Sequence, residues 1–157
     1  MPKRAHFFAG ILATACIATF FLSTIVVEVF GSRPSVANLK SLIVMPGLWI
    51  LVPSIAITGS SGLFLAKTRK GRIVDSKKRR MPIIAANGLL ILIPCAVVLN
   101  RWAAAGAFDA TFYIVQAVEL LAGASNLTLM GLNIRDGLRL SGRLRSSSAS
   151  AVRARTQ

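Results

Sequence analysis

The chain has 157 residues, 54% of them hydrophobic and 15% charged, with a mean hydropathy of +0.65. Ordinary globular domains carry about 25% charged residues, so this composition excludes an average soluble domain. Nineteen Lys and Arg against five acids give a formal net charge of +14, and in so apolar a chain these bases must sit in a few stretches.

Four apolar segments follow one another, each long enough to meet the roughly 20 residues a helix needs to cross a hydrocarbon core. The first, about 7–30, runs without a charge from Phe7 to Val27, and Glu28 follows. Lys3 and Arg4 precede it as in a signal peptide, but a cleaved signal core is only about 7–15 residues. The apolar character here continues through Phe20, Phe21, Leu22, Ile25 and Val26. A retained helix is expected. Cys16 is a poor lipoprotein site, with Ala13 where a large aliphatic residue usually stands.

A short connection, about Gly31 to Lys40, contains the turn formers Gly31, Pro34 and Asn38. The second segment, 41–66, has no ionisable side chain and carries Pro46 and Pro53. Each proline removes an intrahelical donor, and Ser54 and Thr58 can re-satisfy freed carbonyls. Its end holds Gly59-Ser60-Ser61-Gly62, and Gly59 and Gly62 form a small-residue patch where another helix could approach closely. The basic loop 67–80 follows: KTRKGRIVDSKKRR has no aromatic residue, which suits attraction to anionic lipid headgroups better than nucleic-acid readout. The third segment, 81–102, opens at Met81-Pro82, contains Asn87 and Pro94, and ends at Asn100, Arg101 and Trp102. Proline is well tolerated in a first helical turn, where Pro82 is expected.

A second short connection, Ala103 to Asp109, leads to the fourth segment, 110–134. Gln116, Glu119, Gly123, Asn126, Met130 and Asn133 recur there at spacings of three and four, along one stripe of a helix. Polar groups in hydrocarbon need partners, so the stripe should face the bundle interior. Asn87 and either Thr14 or Ser23 are the expected partners across the core, and Gly123 a packing position. Glu119 is the one carboxylate well inside a segment. No Lys or Arg lies at similar depth in any of the four segments, so a buried salt bridge within the chain is not expected. The tail 146–157, SSSASAVRARTQ, cannot bury enough apolar surface to fold alone and is expected to be disordered.

Continuous apolar runs exclude the alternating strands of an outer-membrane barrel. The expected fold is all-α: residues 1–145 form an integral membrane bundle of four antiparallel transmembrane helices in up-down order, because short links make consecutive helices antiparallel neighbours. Sixteen of the nineteen bases fall in the N-terminal segment, the 67–80 loop and the stretch from Arg135 to Arg155, against Arg33, Lys40 and Arg101 in the other two connections. The positive-inside rule then places both termini in the cytoplasm.

Catalytic chemistry is sparse. His6 is the one histidine, so a bis-histidine haem site is unavailable to an isolated chain, and His6 beside Phe7 and Phe8 reads as an interfacial anchor. Cys16 and Cys95 are lone thiols in separate segments, read as small apolar fillers. No Walker A, GxGxxG or HExxH pattern occurs, so no catalytic residue, metal site or cofactor is expected, and an enzyme is disfavoured.

The runs VQAVELLAGASNLTLMGLNIRDGLRLSGR and MPGLWILVPSIAITGSSG resemble small four-span inner-membrane proteins of bacteria that have no assigned activity. The resemblance implies a bacterial cytoplasmic membrane and transfers no site residues. Three function classes fit the sequence. The first is a noncatalytic subunit or assembly partner of a membrane complex, with a membrane-protein partner or a second copy. The others are a small oligomeric transporter using Glu119 as coupling carboxylate, and a lipid- or quinone-binding membrane protein.

Overall fold

The computed structural model describes residues 2–67 and 72–140. Among them there is no strand. Helix α1 spans Pro2–Phe30, α2 Arg33–Leu42, α3 Leu48–Lys67, α4 Arg72–Asn87, α5 Ile93–Ala104 and α6 Ala110–Leu140. Two π-helical segments, Ile43–Gly47 and Gly88–Leu92, join α2 to α3 and α4 to α5. Four rods result, Arg4–Phe30, Arg33–Gly62, Lys78–Ala104 and Ala110–Arg139, each long and apolar enough to cross a membrane.

The first connection is much shorter than expected. Ser32 caps α2, its Oγ accepting from the backbone N–H of Ser35 at 3.4 Å, and proline occupies the first turn. A capping serine and a first-turn proline together begin a helix, so Pro34 and Asn38 are helical, and only Gly31 and Ser32 link α1 to α2. Lys40 thereby moves from a loop into the second rod. At the other connection, Gly106 adopts φ +71°, a left-handed conformation that glycine enters without a Cβ penalty. Asp109 Oδ1 then accepts from Phe112 N at 2.9 Å and caps α6.

Prolines interrupt the second rod where they free backbone groups. Met45, just before Pro46, has φ −140° and ψ 112°, the extended conformation that a following proline imposes. Past Pro53 the helix continues. Ser54 Oγ donates to Ile50 O and Thr58 Oγ1 to Ser54 O, both at 2.7 Å. The third rod also differs from the sequence expectation. Helix α4 starts at Arg72, so much of the basic stretch is helical and Pro82 lies in the helix interior rather than its first turn. Pro94 falls in the first turn of α5, directly after the π segment. Residues 68–71 of the basic stretch and the tail 146–157 lie outside the described residues.

Helix α1 lies along α3 and also touches α2 and α6, α2 packs on α5, α4 and α5 pack on α6, and α3 meets α4. Residues early in α1 meet residues late in α3: His6 Nδ1 is 3.1 Å from both Thr58 O and Ser61 Oγ. The expectation of a merely interfacial His6 is thus corrected to a polar link between two rods.

Two core clusters lie at opposite ends. One joins Ala13, Ile17, Leu51, Ile84 and Met130, with Cys16 packed against it. The other joins Val36, Leu99, Ala103 and Phe112, with Val27 and Cys95 packed against it. Arg33 stacks over the Phe108 ring, 5.7 Å from its centroid, tying the two connections together at this second end.

Candidate functional site

The feature least expected from sequence is a buried ion pair. Lys40 Nζ donates to Glu119 Oε2 at 2.6 Å, and the two side chains are 1% and 13% exposed. The structure overturns the expectation that Glu119 has no basic partner. Helix α2 begins seven residues before Lys40 and α6 begins nine residues before Glu119, so both lie roughly 10–13 Å inside their rods at 1.5 Å per residue. The signal was present as Ser32-Arg33-Pro34, a helix start that puts Lys40 at the depth of Glu119.

Gln116, one turn earlier on α6, is 4% exposed, and its Nε2 donates to the same Glu119 Oε2 at 3.3 Å. Glu28 lies within electrostatic reach of both Lys40 and Glu119. Glu28 Oε1 and Gln116 Oε1 are buried without a hydrogen-bond partner. The group therefore sets two carboxylates against one ammonium. Below it, a cavity of about 50 Å³ is lined by Glu119, Thr24, Phe20, Leu51 and Leu92.

The rest of the stripe divides between two other environments. Asn126 is fully buried. Asn87 Nδ2 donates to Asn126 Oδ1 and to Ala122 O, both at 2.9 Å, and Asn126 Nδ2 donates to Ile84 O at 3.4 Å. These bonds join α4 to α6 next to the π segment that begins at Gly88. Thr14 and Ser23 do not reach the stripe: their hydroxyls donate to Gly10 O and Phe20 O of their own helix. Met130 packs in the first core cluster, and Asn133 Oδ1 is buried without a partner.

The three glycines expected at helix contacts differ. A Cβ on Gly62 would collide with Met81 Cε and come within 3.1 Å of His6 Cε1, and one on Gly123 would stand 3.4 Å from Phe21. Gly59 has nothing within 4 Å, so the packing role expected of it is corrected.

Gly59 instead faces a groove of about 1110 Å³ between the rods. Its walls are apolar over most of their length, from Ile17, Leu51 and Leu92 to Ile84 and Ile134, and Arg4, His6 and Lys78 stand at one end. The groove and the small cavity share Ile17, Leu48, Leu51 and Leu92, so the concave space runs from the basic end toward Glu119.

Near that basic end, Arg80 Nη1 donates to Asp136 Oδ2 at 2.7 Å and fastens α4 to α6. Arg80, read from sequence as part of a topology signal, thus also makes a tertiary contact. Among the described residues no group of three or more His, Cys, Asp or Glu could hold a metal ion. No protein-family model, curated protein or solved structure matches the chain.

Proposed function

We propose that this is a noncatalytic multi-pass protein of a bacterial inner membrane that holds a lipid or quinone-like amphiphile in the groove between its helices. The four rods would form an up-down antiparallel bundle with both termini cytoplasmic, as the distribution of bases favours. The groove carries the reading. At about 1110 Å³ it slightly exceeds the 300–1,000 Å³ typical of small-molecule sites, and like them it is mostly apolar with a few polar groups converging on it.

The test uses Gly59. Nothing lies within 4 Å of a Cβ added there, and Gly59 lines the groove, so a side chain at this position enters the groove. Purified wild-type protein should retain lipid or quinone through mild detergent exchange, measured by mass spectrometry of the extract. Gly59→Trp should lose that ligand while keeping its helical content and melting temperature. A wild-type protein that retains no amphiphile would overturn the reading.

A subunit or assembly role is the second reading, supported by an unoccupied face on α6. Ser125, Thr128 and Gly131 are exposed there, the two hydroxyls donate to carbonyls of their own helix, and nothing lies within 4 Å of a Cβ on Gly131. Small residues of this kind allow close helix approach. Cross-linking through Ser125→Cys should capture a partner helix or a second copy if the face is used. For transport, Glu119 would act together with Lys40 rather than as a lone coupling carboxylate.

A further inference from the structure

The basic end of the groove has a chemistry that a neutral ligand would leave unused. Arg4 belongs to the first rod and Lys78 to the third, yet both line the same space, with His6 between α1 and α3. Among the described residues no Asp or Glu lines the groove. Asp136, on α6 near this end, is held by Arg80 at 2.7 Å and also approached by Arg135 at 3.7 Å, whereas Arg4 and Lys78 have no carboxylate partner among the described residues. Asn133 also lines the groove, and its Oδ1 is buried without a partner.

The apolar part has a matching length. From Arg4 to Ile17 the lining of α1 extends over fourteen residues, thirteen helical rises of 1.5 Å or about 20 Å. One leaflet contributes about half of a 30 Å hydrocarbon core, with headgroup region beyond it. A ligand that fills this groove therefore needs apolar chains of leaflet depth and, at one end only, an anion.

Resting on the groove reading above, we propose that the occupant is an acidic phospholipid of the surrounding bilayer. Its acyl chains lie along Ile17, Leu51 and Ile84, and its phosphate is held by Arg4 and Lys78. Two cations on separate rods act as a clamp, because the headgroup must bring both helices to a fixed separation. A zwitterionic lipid offers the same chains and phosphate but also brings an ammonium toward this positive mouth, which opposes binding by like charge.

The experiment uses the full chain in vesicles of mixed phosphatidylglycerol and phosphatidylcholine, extracted in mild detergent, with retained lipids quantified by mass spectrometry. Wild type should retain phosphatidylglycerol over phosphatidylcholine by on the order of tenfold relative to the vesicle composition, in keeping with two basic groups near a headgroup. Arg4→Gln with Lys78→Gln should abolish the preference and leave the total retained lipid nearly unchanged. Arg79→Gln removes a charge beside Lys78 without touching the groove lining, and should leave the preference intact.

Equal retention of the two lipids by wild type would overturn the headgroup assignment while the groove reading stood. Loss of preference in Arg79→Gln as large as in the double variant would overturn it too, since the general basic field would then be selecting the lipid. Displacement of the lipid by excess inorganic phosphate would reassign the basic end to a free anion. No retained lipid of either kind would overturn the groove reading and this inference together.

Discussion

At the scale of single residues, the pairing of Lys40 with Glu119 sets the largest expected effects. Burying both charges is costly, and removing one partner strands the other, a loss of about 3–5 kcal/mol in buried pairs. Lys40→Met or Glu119→Leu should each lower stability by about that much, whereas the double variant should return most of it, measured by thermal or denaturant unfolding in detergent. Additive losses in the double variant would show that the two groups do not interact. Glu119→Gln should cost less than Lys40→Met, because Glu28 remains within electrostatic reach of Lys40. Combining it with Glu28→Gln should then cost more than the sum of the two. Asn126→Leu leaves Asn87 without its side-chain acceptor and should cost about 1–3 kcal/mol, the usual penalty for a stranded polar group.

At the scale of elements, the two glycines of the Gly59-Ser60-Ser61-Gly62 run make opposite predictions, though periodicity treats them alike. Gly62→Leu must push Met81 and His6 aside and should cost about 1–3 kcal/mol by overpacking. Gly59→Leu enters open space and should leave the melting temperature unchanged or slightly raised, since glycine in a helix is disfavoured by about 1 kcal/mol. Equal effects on stability would mean that both face the same environment. The second rod illustrates a similar limit. Pro46 announces an interruption through its missing N–H and its effect on Met45, but the chain continues into α3 because neighbouring packing holds both halves. Ser32 and Pro34 show the reverse case: a local helix-start signal was legible, yet Gly31, Pro34 and Asn38 together read as a turn. Capping made the difference, as one hydroxyl on the Ser35 N–H lets the helix begin eight residues before the apolar segment.

For the whole molecule, the placement of Lys40 inside the second rod removes one base from the first connection and sharpens the charge asymmetry behind the proposed orientation. Cysteine labelling in intact cells should find Gly71→Cys protected from a membrane-impermeant reagent and Gly106→Cys reactive. Labelling at Gly71 from outside would reverse the orientation. The Arg80–Asp136 pair joins the third and fourth rods at the basic end while Lys40–Glu119 joins the second and fourth near the other. The fourth rod is thus fastened by charge at both ends and by Asn87–Asn126 between them. Disruption of either ion pair should loosen one end first, visible as faster amide exchange in the flanking turns on that side.

The number of long helices, their approximate positions and the alignment of Gln116, Glu119, Asn126 and Asn133 on one stripe were all determined by sequence. They follow from hydrophobic runs and from the helical period, which are local properties of a chain. The partners of that stripe were decided by tertiary structure. Asn87 was a correct candidate because few polar side chains lie at its depth, whereas Thr14 and Ser23 were lost to carbonyls of their own helix, a competition that spacing does not report. Lys40 is not legible as a partner because composition starts the apolar segment at residue 41, whereas the helix starts at Arg33 and turns a loop cation into a buried one. The groove was invisible for a different reason: the volume between helices depends on how closely the rods approach, and in this fold Gly62 and Gly123 sit at contacts while Gly59 borders empty space. Periodicity can place a residue on a face, but only the packed rods determine what that face meets.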